Sequence, residues 1–175
     1  MQMPSDFLHT SAGKFDIIYD MTIYHGSQVV VQSPIIRKSG HNKDFGPGFY
    51  CTTMEKQAIR WAVRFTGEGK ISEFVYTPNS SLRKLTFSAM SEEWLDFIAA
   101  CRRGIPHDYD IVEGPMANDT IFNYVQDFAD GKISRAAFWE LAKFKHPTHQ
   151  ISFNTQAALT TIRFSREWTA REDGR

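Results

Sequence analysis

The stretch Phe45-Gly-Pro-Gly-Phe-Tyr-Cys-Thr-Thr53 decides how this chain is read. Two glycines around a proline lead the backbone into a strand through a turn that side chains would obstruct, so a ligand can come close to the main chain there. Thr53 is placed to cap the helix that follows. Within that helix Ala58, Ile59, Trp61, Ala62 and Phe65 are spaced three and four apart, and Gly67 ends the run.

Upstream, Met21–His25 and Gln28–Gln32 are short β-branched runs that predict strands, and the polar stretch Arg37–Asp44 predicts a loop. Downstream, Ile71–Tyr76 and Arg83–Phe87 read as strands, and Ser91-Glu-Glu opens a helix running to Cys101. Tyr109–Val112 reads as a strand. Asn118 or Asp119 caps a helix closed by Gly131, and Ser134 starts another. His149–Phe153 and Ile162–Phe164 are expected strands around a short helical run, Thr155–Thr161. No glycine-rich GxGxxG turn joins the first strand to a helix, which argues against a doubly wound sheet and for an α+β fold. We read residues 1–20 as an N-terminal extension and 21–175 as a single domain.

With 175 residues, 42% of them hydrophobic and 14% aromatic, the chain can bury one good core. Twenty acidic and twenty basic residues cancel, so the global charge signature of a nucleic-acid binder is absent. Cys51 and Cys101 stand in unrelated settings with no ligand spacing, which argues against structural zinc and a disulfide scaffold and predicts no metal and a reducing cytoplasm. No run approaches the roughly 20 apolar residues of a membrane helix, so no membrane association is expected.

Four blocks in order, Tyr24-His-Gly-Ser27, Asp44-Phe-Gly-Pro-Gly-Phe-Tyr-Cys-Thr-Thr53, Tyr109-Asp-Ile-Val-Glu-Gly-Pro-Met-Ala-Asn-Asp119 and His149-Gln-Ile-Ser-Phe153, resemble a bacterial family of unknown function placed in the ADP-ribosyltransferase superfamily. The resemblance spans about Met21 to Phe164. It implies split antiparallel sheets with flanking helices and NAD in the cleft between them, as in diphtheria-toxin-like and poly(ADP-ribose) polymerase-like domains. His25 matches the histidine that bonds the adenosine ribose, Gly26 the residue whose backbone meets the nicotinamide amide, and Tyr50 the aromatic stacked on the nicotinamide. The same resemblance makes Ser27, Phe49, Thr52 and Asn118 expected NAD contacts.

The departure from that pattern is Gln150, which stands where many relatives have glutamate. Breaking the nicotinamide glycosidic bond develops positive charge on the ribose, and a carboxylate there holds the 2′-hydroxyl and stabilises that charge. Glutamine orients the hydroxyl but brings no charge. Other carboxylates near the blocks are Asp110, Glu113 and Asp119, of which Asp119 is preferred as the assisting group. Expected catalytic residues are therefore His25, Tyr50, Gln150 and Asp119. Taken singly, each has an ordinary structural reading: strand packing for Tyr50, a bonded strand-end histidine, a strand glutamine, and a helix cap for Asn118 or Asp119. Arg60 and Arg64, four apart on the helix after Tyr50, are candidates to meet the NAD pyrophosphate, with a solvated helix face the commoner reading, and Arg102 and Arg103 read as helix-end cations.

What the resemblance implies is a mono-ADP-ribosyltransferase that uses NAD as substrate on a macromolecular acceptor, acting as an intracellular toxin beside an antitoxin protein or in phage defence. Two alternatives stay open: an NAD glycohydrolase, and a module that binds NAD or ADP-ribose without transfer. A carboxylate approaching the nicotinamide ribose separates transfer from binding without transfer, whereas hydrolysis differs from transfer only in taking water as the nucleophile. The acceptor-side loops, Ser33–Asp44 and Gly104–Asp108, carry no recognition motif.

Overall fold

A computed structural model of the chain describes residues 19–37, 43–117, 119–142 and 148–172. In chain order the elements are β1 (Met21–Ser27), β2 (Phe49–Cys51), α1 (Glu55–Val63), β3 (Glu68–Tyr76), β4 (Lys84–Thr86), α2 (Glu92–Arg102), β5 (Ile111–Gly114), α3 (Asp119–Ala129), α4 (Arg135–Ala142), β6 (Gln150–Phe153), α5 (Gln156–Leu159) and β7 (Ile162–Arg171). The fold is mixed α+β, with two sheets and five helices among the described residues.

One sheet has three antiparallel strands in the order β1-β3-β7. The other has four, β2-β6-β5-β4, antiparallel except for the parallel pair β4–β5, a departure from the all-antiparallel expectation. The two sheets touch at Tyr24 and Thr52, which exchange both backbone hydrogen bonds at 2.8 and 2.9 Å. Ile23 and Phe74 from one sheet and Phe49, Ile111, Ile151 and Phe153 from the other close a common core between them. A second core, under α2, α3 and α4, is built on Trp94, Leu95, Ile98, Ile121, Val125 and Phe138.

Helix α1 lies against the first sheet because the facing residues are small. Ala58 and Ala62 are fully buried beside Ile71 and Ala170. A Cβ on Gly26 would run into the Ala58 carbonyl and lie 2.9 Å from its carbon and 3.2 Å from the Ala62 nitrogen. Only glycine lets the helix backbone come this close to β1.

Several local expectations are corrected. Residues 28–32 form no strand: the Val31 N–H donates to Ser72 Oγ at 2.9 Å, and no partner strand takes up the rest of the segment. Thr53 does not cap α1, whose N-cap position is Met54. The neighbouring Thr52 hydroxyl accepts the Met54 N–H at 3.0 Å instead. β7 continues to Arg171 through a polar run that sequence periodicity ended at Phe164, because β3 pairs with it throughout, with a register shift at Glu73/Phe74. The Ser91 cap is as expected, its hydroxyl accepting from the Trp94 N–H at 3.2 Å. No described helix is long and apolar enough to cross a membrane.

Candidate functional site

The site begins at the free edge of β1. Tyr24 directs its N–H and C=O toward Thr52, away from β3. Strand geometry repeats every two residues, so Gly26 directs its own N–H and C=O to the same edge. There the two strands part beyond the Tyr24–Thr52 bridge, and no described backbone group pairs with Gly26 on that side.

His25 points to the other face of β1. Its ring stacks on Phe49 with centroids 4.5 Å apart, and Nδ1 lies 2.7 Å from the Tyr50 carbonyl. A carbonyl only accepts, so Nδ1 carries the proton and donates, leaving Nε2 as a bare acceptor in the neutral ring. Burial, then the charges of Lys43 and Arg37, pull the His25 pKa below its ordinary value.

Tyr50 is fixed by the turn that precedes it. Its hydroxyl donates to the Gly46 carbonyl at 2.6 Å and accepts the Phe45 N–H at 3.1 Å. Gly46 adopts the left-handed region, φ +74°, which glycine takes without strain. Burial pushes the phenol pKa far above its ordinary range, so this hydroxyl is a structural clamp, and the ring is what the site presents. Lys43 Nζ stands 4.8 Å from the centroid of that ring.

Gln150 opens β6 and is 3% exposed. Its Nε2 donates to Asp44 Oδ2 at 3.0 Å, with the Pro115 carbonyl at 3.4 Å. Both neighbours are acceptors, which fixes the amide orientation, and Gln150 lines a cavity. Asp44 is itself buried: Arg102 Nε and Nη2 donate to its Oδ1 at 3.0 and 2.5 Å, and the Ala117 N–H donates to its Oδ2 at 3.0 Å. The Arg102 side chain is 0% exposed and also donates to the Phe122 carbonyl at 2.6 Å. A carboxylate therefore stands directly behind the glutamine, with its charge neutralised by a guanidinium.

These elements border two adjoining cavities. One, of about 450 Å³, is lined by His25, Phe49, Tyr50, Arg37, Lys43 and the apolar 29–31 segment. The other, of about 600 Å³, is lined by Gly26, Tyr50, Asp44, Gln150, Trp61 and Phe122. Ser27, Lys43 and Tyr50 border both. The structure thus brings together the expected residues His25, Gly26, Ser27, Phe49, Tyr50 and Gln150.

The other expected residues fall elsewhere or outside what is described. Thr52 is fully buried, serves the start of α1 and lines neither cavity. Asn118 lies outside the described residues, as does the side chain of Asp119, whose backbone starts α3. Asp110 accepts from the Thr155 hydroxyl at 2.7 Å and the Arg83 N–H at 2.9 Å, away from the cleft. Glu113 pairs with Lys84 at 2.5 Å and with His149 Nε2 at 2.9 Å, and the His149 hydrogen bond first, then Lys84, holds its carboxyl down to about 2. His149 in turn is clamped by Gln57, whose amide exchanges hydrogen bonds with the His149 backbone at 2.5 and 3.1 Å and so sets the start of β6.

Sequence reasoning missed Asp44 and Arg102. Asp44 sits in a quoted motif block, but the polar stretch before it reads as loop. Arg102 reads as a helix-end cation, and nothing in spacing links residues 58 positions apart. Arg64 does border the second cavity, its guanidinium 4.3 Å over the Phe65 ring, whereas Arg60 borders neither. Among the described residues no group of three or more His, Cys, Asp or Glu is placed to hold a metal ion.

No curated protein matches the chain. A family model described as protein of unknown function (DUF3990) matches residues 21–164, a span that holds every cavity-lining residue named above. The chain belongs to that family.

Proposed function

We propose that the chain binds NAD across the two adjoining cavities and transfers its ADP-ribose to a macromolecule, on the ADP-ribosyltransferase-like fold that its motif blocks resemble. The observation that carries this reading is the open edge of β1 at Gly26, which faces the cavity shared by the Tyr50 ring and the Gln150 amide. A primary carboxamide needs one acceptor and one donor side by side, and an unpaired strand residue offers both. With the nicotinamide amide on Gly26, its ring lies on the face of Tyr50. The ribose hydroxyls meet Gln150 Oε1, and the adenosine half extends toward His25, whose Nε2 accepts a hydroxyl.

In the reaction the bond from ribose C1′ to the nicotinamide nitrogen breaks, and its electron pair leaves with nicotinamide. A nucleophile of the acceptor then supplies the pair for the new C1′ bond and releases its proton to solvent. Gln150 orients the 2′-hydroxyl, while the Asp44–Arg102 pair presents a dipole rather than a net negative charge. Loss of one preorganised charge typically costs about two to three orders of magnitude in rate, so slow transfer is expected. Neutralisation of Asp44 also favours a second reading, a module that binds NAD or ADP-ribose without transfer. Hydrolysis differs from transfer only in taking water as nucleophile. An intracellular toxin held by an antitoxin protein is the biological role that accompanies the transferase reading.

The test is incubation with NAD labelled on the adenosine side in a cell extract, following free nicotinamide and retained label. Release with label on a macromolecule supports transfer. Release without retained label identifies hydrolysis, and saturable NAD binding with neither identifies a binding module.

A further inference from the structure

The wall between the cavities carries a charge that the site as described does not use. Arg37 and Lys43 line the first cavity, and Lys43 also borders the second. Among the described residues neither cation has a carboxylate partner. Among the described residues the one carboxylate bordering either cavity, Asp44, is already filled by Arg102, the Ala117 N–H and Gln150. The two cations feel each other, since burial and then the Arg37 charge lower the Lys43 pKa. Both residues are exposed at the cavity, and two like charges beside a partly apolar wall of Val30, Val31 and Phe49 focus a positive field that draws an anion there.

We infer that Arg37 and Lys43 form a diphosphate site, resting on the NAD reading above, so that the anionic link of the dinucleotide crosses between the cavities at Lys43. The chemistry follows from the donors. A guanidinium offers a planar fork to one phosphate and an ammonium a point charge to the next. Position agrees, because Lys43 stands between the His25 end and the Gly26–Gln150 end. The entering diphosphate also draws Lys43 Nζ off the Tyr50 ring and frees that face for stacking.

The experiment titrates the full chain, Arg37→Gln, Lys43→Gln, the double variant and Lys43→Arg with NAD, nicotinamide and inorganic pyrophosphate at low and moderate salt. Circular dichroism checks that each variant is folded. The expected result is about tenfold weaker NAD binding for each charge removed, with partial recovery in Lys43→Arg. Nicotinamide affinity stays within twofold of wild type, and pyrophosphate competes with NAD. NAD affinity within twofold of wild type in the folded double variant overturns the diphosphate site. If pyrophosphate binds wild type and not the double variant while NAD binds neither, the anion site stands and the NAD reading falls.

Discussion

Replacing Gln150 by glutamate puts a carboxylate where the transferases it resembles have one, yet the buried surroundings of this position keep that carboxylate largely uncharged at neutral pH. Gln150 Nε2 lies 3.0 Å from Asp44 Oδ2. In Gln150→Glu that donor becomes an oxygen, and two carboxylates face each other inside the protein. At 3.0 Å and an effective dielectric of about 20, two like charges repel by about 5 kcal/mol, equivalent to about four pKa units. Arg102, bound to the other Asp44 oxygen, offsets part of this, so we expect one proton to be shared by the pair with an apparent pKa raised by roughly two to four units. Near neutral pH the variant then carries little more charge than wild type. Nicotinamide release by Gln150→Glu is expected to stay close to wild type at pH 6 and to climb only above pH 7 to 8. The double variant Asp44→Asn/Gln150→Glu, which supplies an amide donor to the new carboxylate, should show the charge-dependent gain already at neutral pH. The assay is nicotinamide release against pH for the three proteins. A Gln150→Glu profile that rises with an ordinary carboxylate pKa near 4 refutes the Asp44 contact and the buried electrostatics built on it.

Arg102→Met leaves Asp44 buried without its cation and should cost about 3–5 kcal/mol in chemical denaturation, much of it recovered when Asp44→Asn is added. Gly26→Ala forces a Cβ into the α1 backbone at Ala58 and should destabilise by about 1–3 kcal/mol, with loss of NAD binding measured by calorimetry under conditions where it remains folded. Glu113 titrates at about 2 in the native state instead of 4.5, so the unfolded state takes up its proton first, and the stabilisation present above pH 4.5 fades as pH falls toward 2. Discounted for solvent at this partly exposed site, that is about 1–2 kcal/mol, and urea midpoints measured from pH 5 to pH 3 should fall less steeply in His149→Ala.

The parts of the fold legible in the sequence are those set by local chemistry. The Ser91 cap, the strand at Met21–His25 and the glycine turn before Tyr50 each follow from a few neighbouring residues, and the structure has them. The misread parts depend on a distant partner. β7 extends past the register shift at Ser165 through Arg166 and Glu167 because β3 pairs with it on both sides of the shift, and periodicity does not carry that information. Gln28–Gln32 has strand composition but no strand to pair with, and its valines line a cavity instead. Within the site, His25, Gly26, Tyr50 and Gln150 lie in short motif blocks and could be named. Asp44 and Arg102 could not be paired, since their contact is made only when α2 packs behind the Gly46 turn.

In the proposed NAD reading one ligand spans both cavities with its ends at His25 and Tyr50. Calorimetric titration of NAD into wild type, His25→Ala and Tyr50→Ala tests it most directly. The expected result is saturable one-to-one binding to wild type, weakened about tenfold or more in each folded variant. Equal affinity in all three proteins, or no binding by wild type, contradicts it.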